Sequence, residues 1–192
     1  MEGASDAFAA ALWALDYMHW WAAHGCAGVN FHNRRGTLTD TITWDSAGNF
    51  RINPKACGLR GFEIGSQGDV ITSLKLSNPG RVNVDCHAVG DATNLFVTII
   101  NKTHDSAGGT NVVVTIRPEH FAATAGEYMM LESVPPSDCL AKEAMLGGSR
   151  ITGDTEWHGQ WTPLSVAKSS VCNITVPSSS AAVVHLFSIN RD

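Results

Sequence analysis

The hydrophobic period of the chain changes once, near residue 68, and that change limits the fold more than any single motif. Before it, Phe8, Ala11, Leu12, Leu15, Met18 and Ala22 recur at three- and four-residue spacing, which predicts a helix with one apolar face. Ser5 and Asp6 are candidate N-caps, and Gly25 is a candidate C-cap after His24. A second helix is predicted from Pro54 to about Ile64, despite Gly58 and Gly61, with Gly65-Ser-Gln-Gly68 closing it. Beyond residue 68 the runs become short and strand-like: Val70–Leu76, Val82–Ala88, Leu95–Asn101, Asn111–Arg117, Glu127–Val134 and Ala181–Ile189. Turn chemistry separates them, as in Asn78-Pro-Gly80, Gly90-Asp91 and Pro135-Pro-Ser137. Regularly spaced short strands of this kind argue for an antiparallel sandwich. Val97-Thr-Ile-Ile100 and Val112-Val-Val114 further argue for strands buried more deeply than the alternating Val82-Asn-Val-Asp-Cys86.

Between the two helices, Cys26–Phe31 is predicted as a short buried strand that empties into the polar loop His32-Asn33-Arg34-Arg35-Gly36. In a parallel β/α fold the carboxyl end of a strand is where ligands are met. His32 there can donate to a ligand hydroxyl or carboxylate, or simply cap the strand. Arg34 and Arg35 can clamp an anion in two-pronged fashion, or remain a solvated pair. The following Thr37 to Trp44 alternates and predicts a short hairpin or extended loop. Trp13, Trp20 and Trp21 read either as a sugar-stacking platform or, preferably, as residues that pack the helix against a barrel wall, because aromatics dominate core burial. A lone helix–strand–helix cannot stand by itself, since its strand edges and helix face need cover. Partner strands upstream of Met1 are therefore expected, the alternative cover being the sandwich itself.

Composition excludes several classes. With 44% hydrophobic and 16% charged residues over 192 positions, the chain can bury a sizeable core. A net charge of −5 without a basic run makes nucleic acid and anionic membrane poor partners. Residues 7–23 are short for a membrane span and carry Asp16 and His19. The five cysteines (26, 57, 86, 139 and 172) show no Cys-x-x-Cys spacing, so neither a metal site nor a disulfide framework is expected, and each reads as a small buried hydrophobe. Asn101-Lys-Thr103 and Asn173-Ile-Thr175 match the N-glycosylation sequon, which matters only in a eukaryotic secretory setting. Sugar hydrolysis needs two facing carboxylates roughly 5 to 9.5 Å apart. None of the 18 acidic residues ends the predicted strand, and no Gly-x-Ser-x-Gly elbow or phosphate-cradling loop is present. No catalytic residue and no cofactor are expected in this chain.

Ser5-Asp-Ala-Phe-Ala-Ala-Ala-Leu-Trp-Ala-Leu-Asp16 followed by Gly28-Val-Asn-Phe-His32 resembles the late barrel of glycoside hydrolase family 79, the family of β-glucuronidases and heparanase-like enzymes. Val97-Thr-Ile-Ile-Asn-Lys102, Leu146-Gly-Gly148, Gly159-Gln-Trp161 and Val176-Pro-Ser-Ser-Ser-Ala-Ala182 continue the likeness through that family's C-terminal β-sandwich. The resemblance implies a mainly β chain: residues 1–67 would be the last helix–strand–helix of a (β/α)8 barrel, and residues 68–192 a C-terminal antiparallel β-sandwich. It implies a retaining parent enzyme acting on glucuronides or other uronic-acid-containing carbohydrates, with both catalytic glutamates in a missing N-terminal barrel portion. A secreted or periplasmic location is open for such an enzyme. Residues 32–36 would then meet the uronate, with Gly36 at the family's glycine; the tyrosine that accompanies it there is absent, leaving Arg34 or Arg35 to complement the charge. The competing reading is a non-catalytic carbohydrate-binding or structural β-sandwich protein.

Overall fold

The computed structural model describes residues 5–32, 39–44, 47–104, 109–153 and 155–188. Two helices, α1 (Ala9–Ala23) and α2 (Lys55–Gly65), lie against one face of a seven-stranded antiparallel sheet. Its strands are β3 (Asp69–Val70), β4 (Val84–Gly90), β5 (Asn94–Asn101), β7 (Ala125–Val134), β8 (Glu143–Leu146), β9 (Thr162–Leu164) and β11 (Ser180–Phe187). The order is β3-β4-β5-β11-β7-β8, and β9 shares the outer edge of β7 with β8. A two-stranded sheet, β6 (Val112–Ile116) with β10 (Cys172–Val176), covers the opposite face. A separate hairpin joins β1 (Ile42–Trp44) to β2 (Phe50–Ile52). The chain is thus mainly β, with antiparallel sheets throughout.

The two central strands show why the order holds. β5 is buried on both faces, because Leu95, Val97 and Ile99 meet the small sheet while Ile100 meets the helices. β11 does the same with Val184 and Leu186 on one side and Ala181 on the other. The β4–β5 hairpin is set by Asp91, whose Oδ1 accepts from the amides of Thr93 (2.7 Å) and Asn94 (2.8 Å), a side-chain turn that fixes register.

Helix α1 buries Phe8, Ala11, Leu12 and Leu15 against α2 and the sheet, as the spacing predicts. The capping differs from expectation. The helix begins later, and its free amides at Phe8 and Ala9 donate to Ala141 and Cys139 carbonyls, both at 2.8 Å. Asp6 instead pairs with Lys142 at 2.7 Å, so the loop after β7 replaces a side-chain cap. The glycines of α2 have a packing reason: a Cβ on Gly58 would sit 2.1 Å from the Ala11 carbonyl oxygen. Only glycine allows the two helices this approach.

Three expectations need correction. Cys26–Phe31 is not a strand. It leaves α1 through Gly25 (φ 77°) as mostly exposed coil, because no described strand lies beside it to take its hydrogen bonds. Val112-Val-Val114 is not buried on both faces: Val113 is 69% exposed, since β6 belongs to the outer sheet. Of Val70–Leu76, only Val70 lies in a strand, the two-residue β3 that begins at Asp69. The sandwich does cover the inner face of α1, which was the second way that helix could be satisfied.

Candidate functional site

The coil after α1 positions the residues singled out for ligand contact. His24 Nδ1 lies 2.7 Å from the Trp20 carbonyl, and Cys26 donates its amide to the Trp21 carbonyl at 3.0 Å, so the chain turns back along its own helix. Phe31 then packs edge-on against Trp13 and Tyr17, with ring centroids 6.0 and 6.3 Å apart. His32 follows as an exposed residue of this coil. Asn33, Arg34, Arg35 and Gly36 lie outside the described residues.

Both flanks of that loop converge on Lys55 at the start of α2. Its buried ammonium stands 5.2 Å from the Phe31 ring centroid and donates to the Thr39 carbonyl. Burial lowers the Lys55 pKa, with the Asp40 charge opposing that shift. Asn53 completes the anchor by donating Nδ2 to the Asp40 carbonyl (2.9 Å) and its amide to the Thr41 carbonyl (2.9 Å). Residues on either side of 33–38 are thus fixed to one buried cation and one buried amide.

Around this rim, α1 presents an aromatic surface away from the sandwich. Trp13 stacks on Tyr17 at 4.9 Å, Tyr17 meets Trp21 edge-on at 6.1 Å, and Trp20 stacks on His24 at 3.7 Å. Trp13 is 50% exposed and Trp20 47%. Trp20 and Trp21 therefore pack against each other and Trp13 against Tyr17 and Phe31, and none of the three belongs to the buried core of the described residues.

A polar cluster that periodicity did not single out fastens the same helix to the sheet. Asp16 accepts from Lys102 Nζ at 2.9 Å and lies 2.8 Å from His87 Nε2, while Lys102 also reaches Asp85. Burial alone would raise the Asp16 pKa, but the bonds and charges of His87 and Lys102 outweigh it and hold the carboxyl below its ordinary range. His19 stacks on His87 at 4.9 Å and meets Phe62 edge-on; burial, helped by the His87 charge, holds its pKa down at about 3. The signal was present in the sequence: Asp16 and His19 are one helical turn apart within an otherwise apolar run. Asp16 and Asp85 do meet at a common lysine, yet an ionised carboxylate clamped by cations is an anchor and not a proton donor.

A groove of about 640 Å³ runs between β2 and β8, bordered by Arg51, Lys142 and Arg150. Each of these cations is engaged: Arg51 with the Lys142 carbonyl (2.8 Å), Lys142 with Asp6 and Arg150 with Glu143 (2.6 Å). The sequons also sort themselves. Asn101 is fully buried, donating to the Thr110 and Val176 carbonyls, so it cannot accept a glycan, whereas Asn173 is exposed on β10. Among the cysteines, 57 and 172 are buried as expected, 86 and 139 partly so, and 26 is exposed.

No protein-family model and no curated protein matches the chain. Solved structures do. A 4-O-α-L-rhamnosyl-β-D-glucuronidase from Fusarium oxysporum 12S is similar at a TM-score of 0.67 and 15% identity, covering 95% of this chain and 40% of that one. The α-L-arabinofuranosidase from Thermotoga maritima gives 0.63 at 13% identity, covering 93% and 38%. A glycoside hydrolase family 30 subfamily 8 xylanase from Clostridium acetobutylicum gives 0.58 at 10% identity, covering 95% and 40%. The chain spans about two fifths of the length of each. At such identities the likeness is one of fold, and the fold is one found in glycoside hydrolases.

Proposed function

We propose that the chain is the C-terminal portion of a glycoside hydrolase resembling the family 79 β-glucuronidases. In the intact enzyme, residues 1–67 close the end of a (β/α)8 barrel and residues 68–192 form the sandwich that braces it. The observation that carries this reading is the match of 95% of the chain to 40% of a rhamnosyl-glucuronidase. The outward aromatic surface of α1 supports it, because Trp13, Tyr17 and Trp20 are suited to packing against a barrel helix. So does the chemistry: the carboxylates of the Asp16–Lys102–Asp85 cluster are paired to a cation, leaving the acid/base and nucleophile to the remainder of the enzyme.

On this reading the role of His32 and of Asn33, Arg34, Arg35 and Gly36 is to hold a sugar acid at the rim. Reversing the charge of Arg34 and Arg35 in the intact enzyme should weaken hydrolysis of uronides far more than that of neutral glycosides. Equal losses on both substrates would refute the assignment. The coding DNA upstream offers a second test: the proposal requires an in-frame continuation carrying two glutamates at strand ends.

A further inference from the structure

Along its length α1 changes the way it is held. Its first half, with Phe8 just before it, lies in the apolar core through Ala11, Leu12 and Leu15. Beyond Leu15 no residue of the helix belongs to either core. The one buried residue there is His19, 3% exposed. The second half is therefore fastened to the rest of the chain by titratable groups. Asp16 reaches His87 on β4 (2.8 Å) and Lys102 just after β5 (2.9 Å), and Lys102 also binds Asp85 on β4. The His19 ring lies nearly parallel to that of His87, at 4.9 Å and 7°. From α2 it meets the Phe62 ring edge-on, while the charged pair of that helix, Arg60 with Glu63, is exposed and bonded to itself.

This seat accepts only a neutral imidazole. His19 Nε2 is buried with no hydrogen-bond partner among the described residues. A proton there would leave a buried charge unpaired and set it face to face with a second imidazole. Asp16, one turn away, is already committed to His87 and Lys102. We propose that the second half of α1 is an acid-operated latch: proton uptake at His19 releases residues 16–23 from β4 and α2, while the first half of the helix and the sandwich stay closed. The separation is possible because the core between the two sheets contains no residue of α1. Burial and the His87 charge hold the His19 pKa at about 3 against an ordinary 6.5, so opening becomes more favourable as the pH falls below 6.5. Asp16, held below its ordinary range, keeps its charge through mild acid, which leaves His19 as the trigger. The coil that leads to His32 starts from this half, with His24 Nδ1 at 2.7 Å from the Trp20 carbonyl, so the latch sets how firmly that coil is held. The inference rests on these contacts and is independent of the glycosidase reading.

Hydrogen exchange of the 192-residue chain, followed residue by residue from pH 7 to 4.5 and corrected for the intrinsic rate, tests the latch. Below pH 6.5 the protection of the amides of residues 18–23 should fall by up to about tenfold per pH unit, while those of β5 and β11 hold theirs. In His19→Phe, which keeps a ring on His87 without a titrating group, that fall should disappear. A flat profile at 18–23 in the unaltered chain, an equal fall in β5 and β11, or the same fall in a folded His19→Phe chain would overturn the proposal. Should that variant fail to fold, the contrast between 18–23 and the central strands in the unaltered chain decides alone.

Discussion

The two sides of α1 are built on opposite principles. Its inner side closes through backbone approach and polar fastening: Ala11 lies against Gly58, Leu15 is fully buried, and Asp16 ties to His87 and Lys102. Its outer side is a row of large aromatic rings in contact with each other and half open to water. A helix satisfied on one side by the sandwich and still apolar on the other is a boundary element. The difference separates two kinds of contact on one helix: the inner face joins the core of the sandwich, and the outer face takes no part in it.

If so, substitutions on the two sides should part company. Gly58→Val, which forces atoms into the Ala11 carbonyl, should cost about 3 kcal/mol or more of unfolding free energy. Leu15→Ala should cost roughly 2 to 5 kcal/mol by opening a cavity. Both are read from denaturant midpoints, and a loss under about 1 kcal/mol at either site would break the inner-face account. Lys102→Met leaves Asp16 and Asp85 without their shared cation; because these groups are partly exposed, the loss should be smaller, about 1 to 2 kcal/mol.

Acid sharpens the same contrast. His19 has its pKa held at about 3 against an ordinary 6.5, so the unfolded chain takes up a proton that the folded chain refuses. Its contribution is complete above pH 6.5 and is lost as the pH falls towards 3, at up to about 1.4 kcal/mol per pH unit. Asp16, depressed below the ordinary carboxylate range, adds a loss of the same sign as the pH passes down through its folded value. His19→Phe should flatten the stability profile between about pH 6 and 4, and an unchanged slope would remove His19 from the account.

Much of the inner face was legible in the sequence, and little of the outer. The apolar spacing of Phe8, Ala11, Leu12 and Leu15 gave the buried stripe directly, and most of the central strands followed from alternation and turn residues. Cys172-Asn-Ile-Thr-Val176 alternates equally well, with the buried-exposed pattern of an outer strand, and forms β10 although it is absent from the predicted strands. β8 and β9 are too short to carry a period of their own. They exist because β7 offers them an edge. Cys26–Phe31 has strand composition without a neighbour, and composition cannot supply one. Of the rim residues, His32 is exposed at the end of that coil, and its anchoring through Phe31 and Lys55 depends on contacts far apart in sequence. The tryptophans show the same limit: their ring size predicts packing, but it does not say against what, and among the described residues nothing fully covers Trp13 and Trp20.

The smallest effect on stability belongs to that outer side. Replacing Trp13 and Trp20 together by serine should change unfolding free energy by no more than about 0.5 kcal/mol while raising solubility. A large destabilisation would show that the rings hold the isolated fold together after all.

The central claim is that the chain shapes a glycosidase without performing its chemistry. Turnover of an aryl β-glucuronide, measured side by side for the 192-residue chain and for the polypeptide translated from its extended reading frame, tests this most directly. The account predicts background rates for the chain alone and saturable hydrolysis with retention for the extended polypeptide. Saturable hydrolysis by the chain alone, or none by the extended polypeptide, would contradict it.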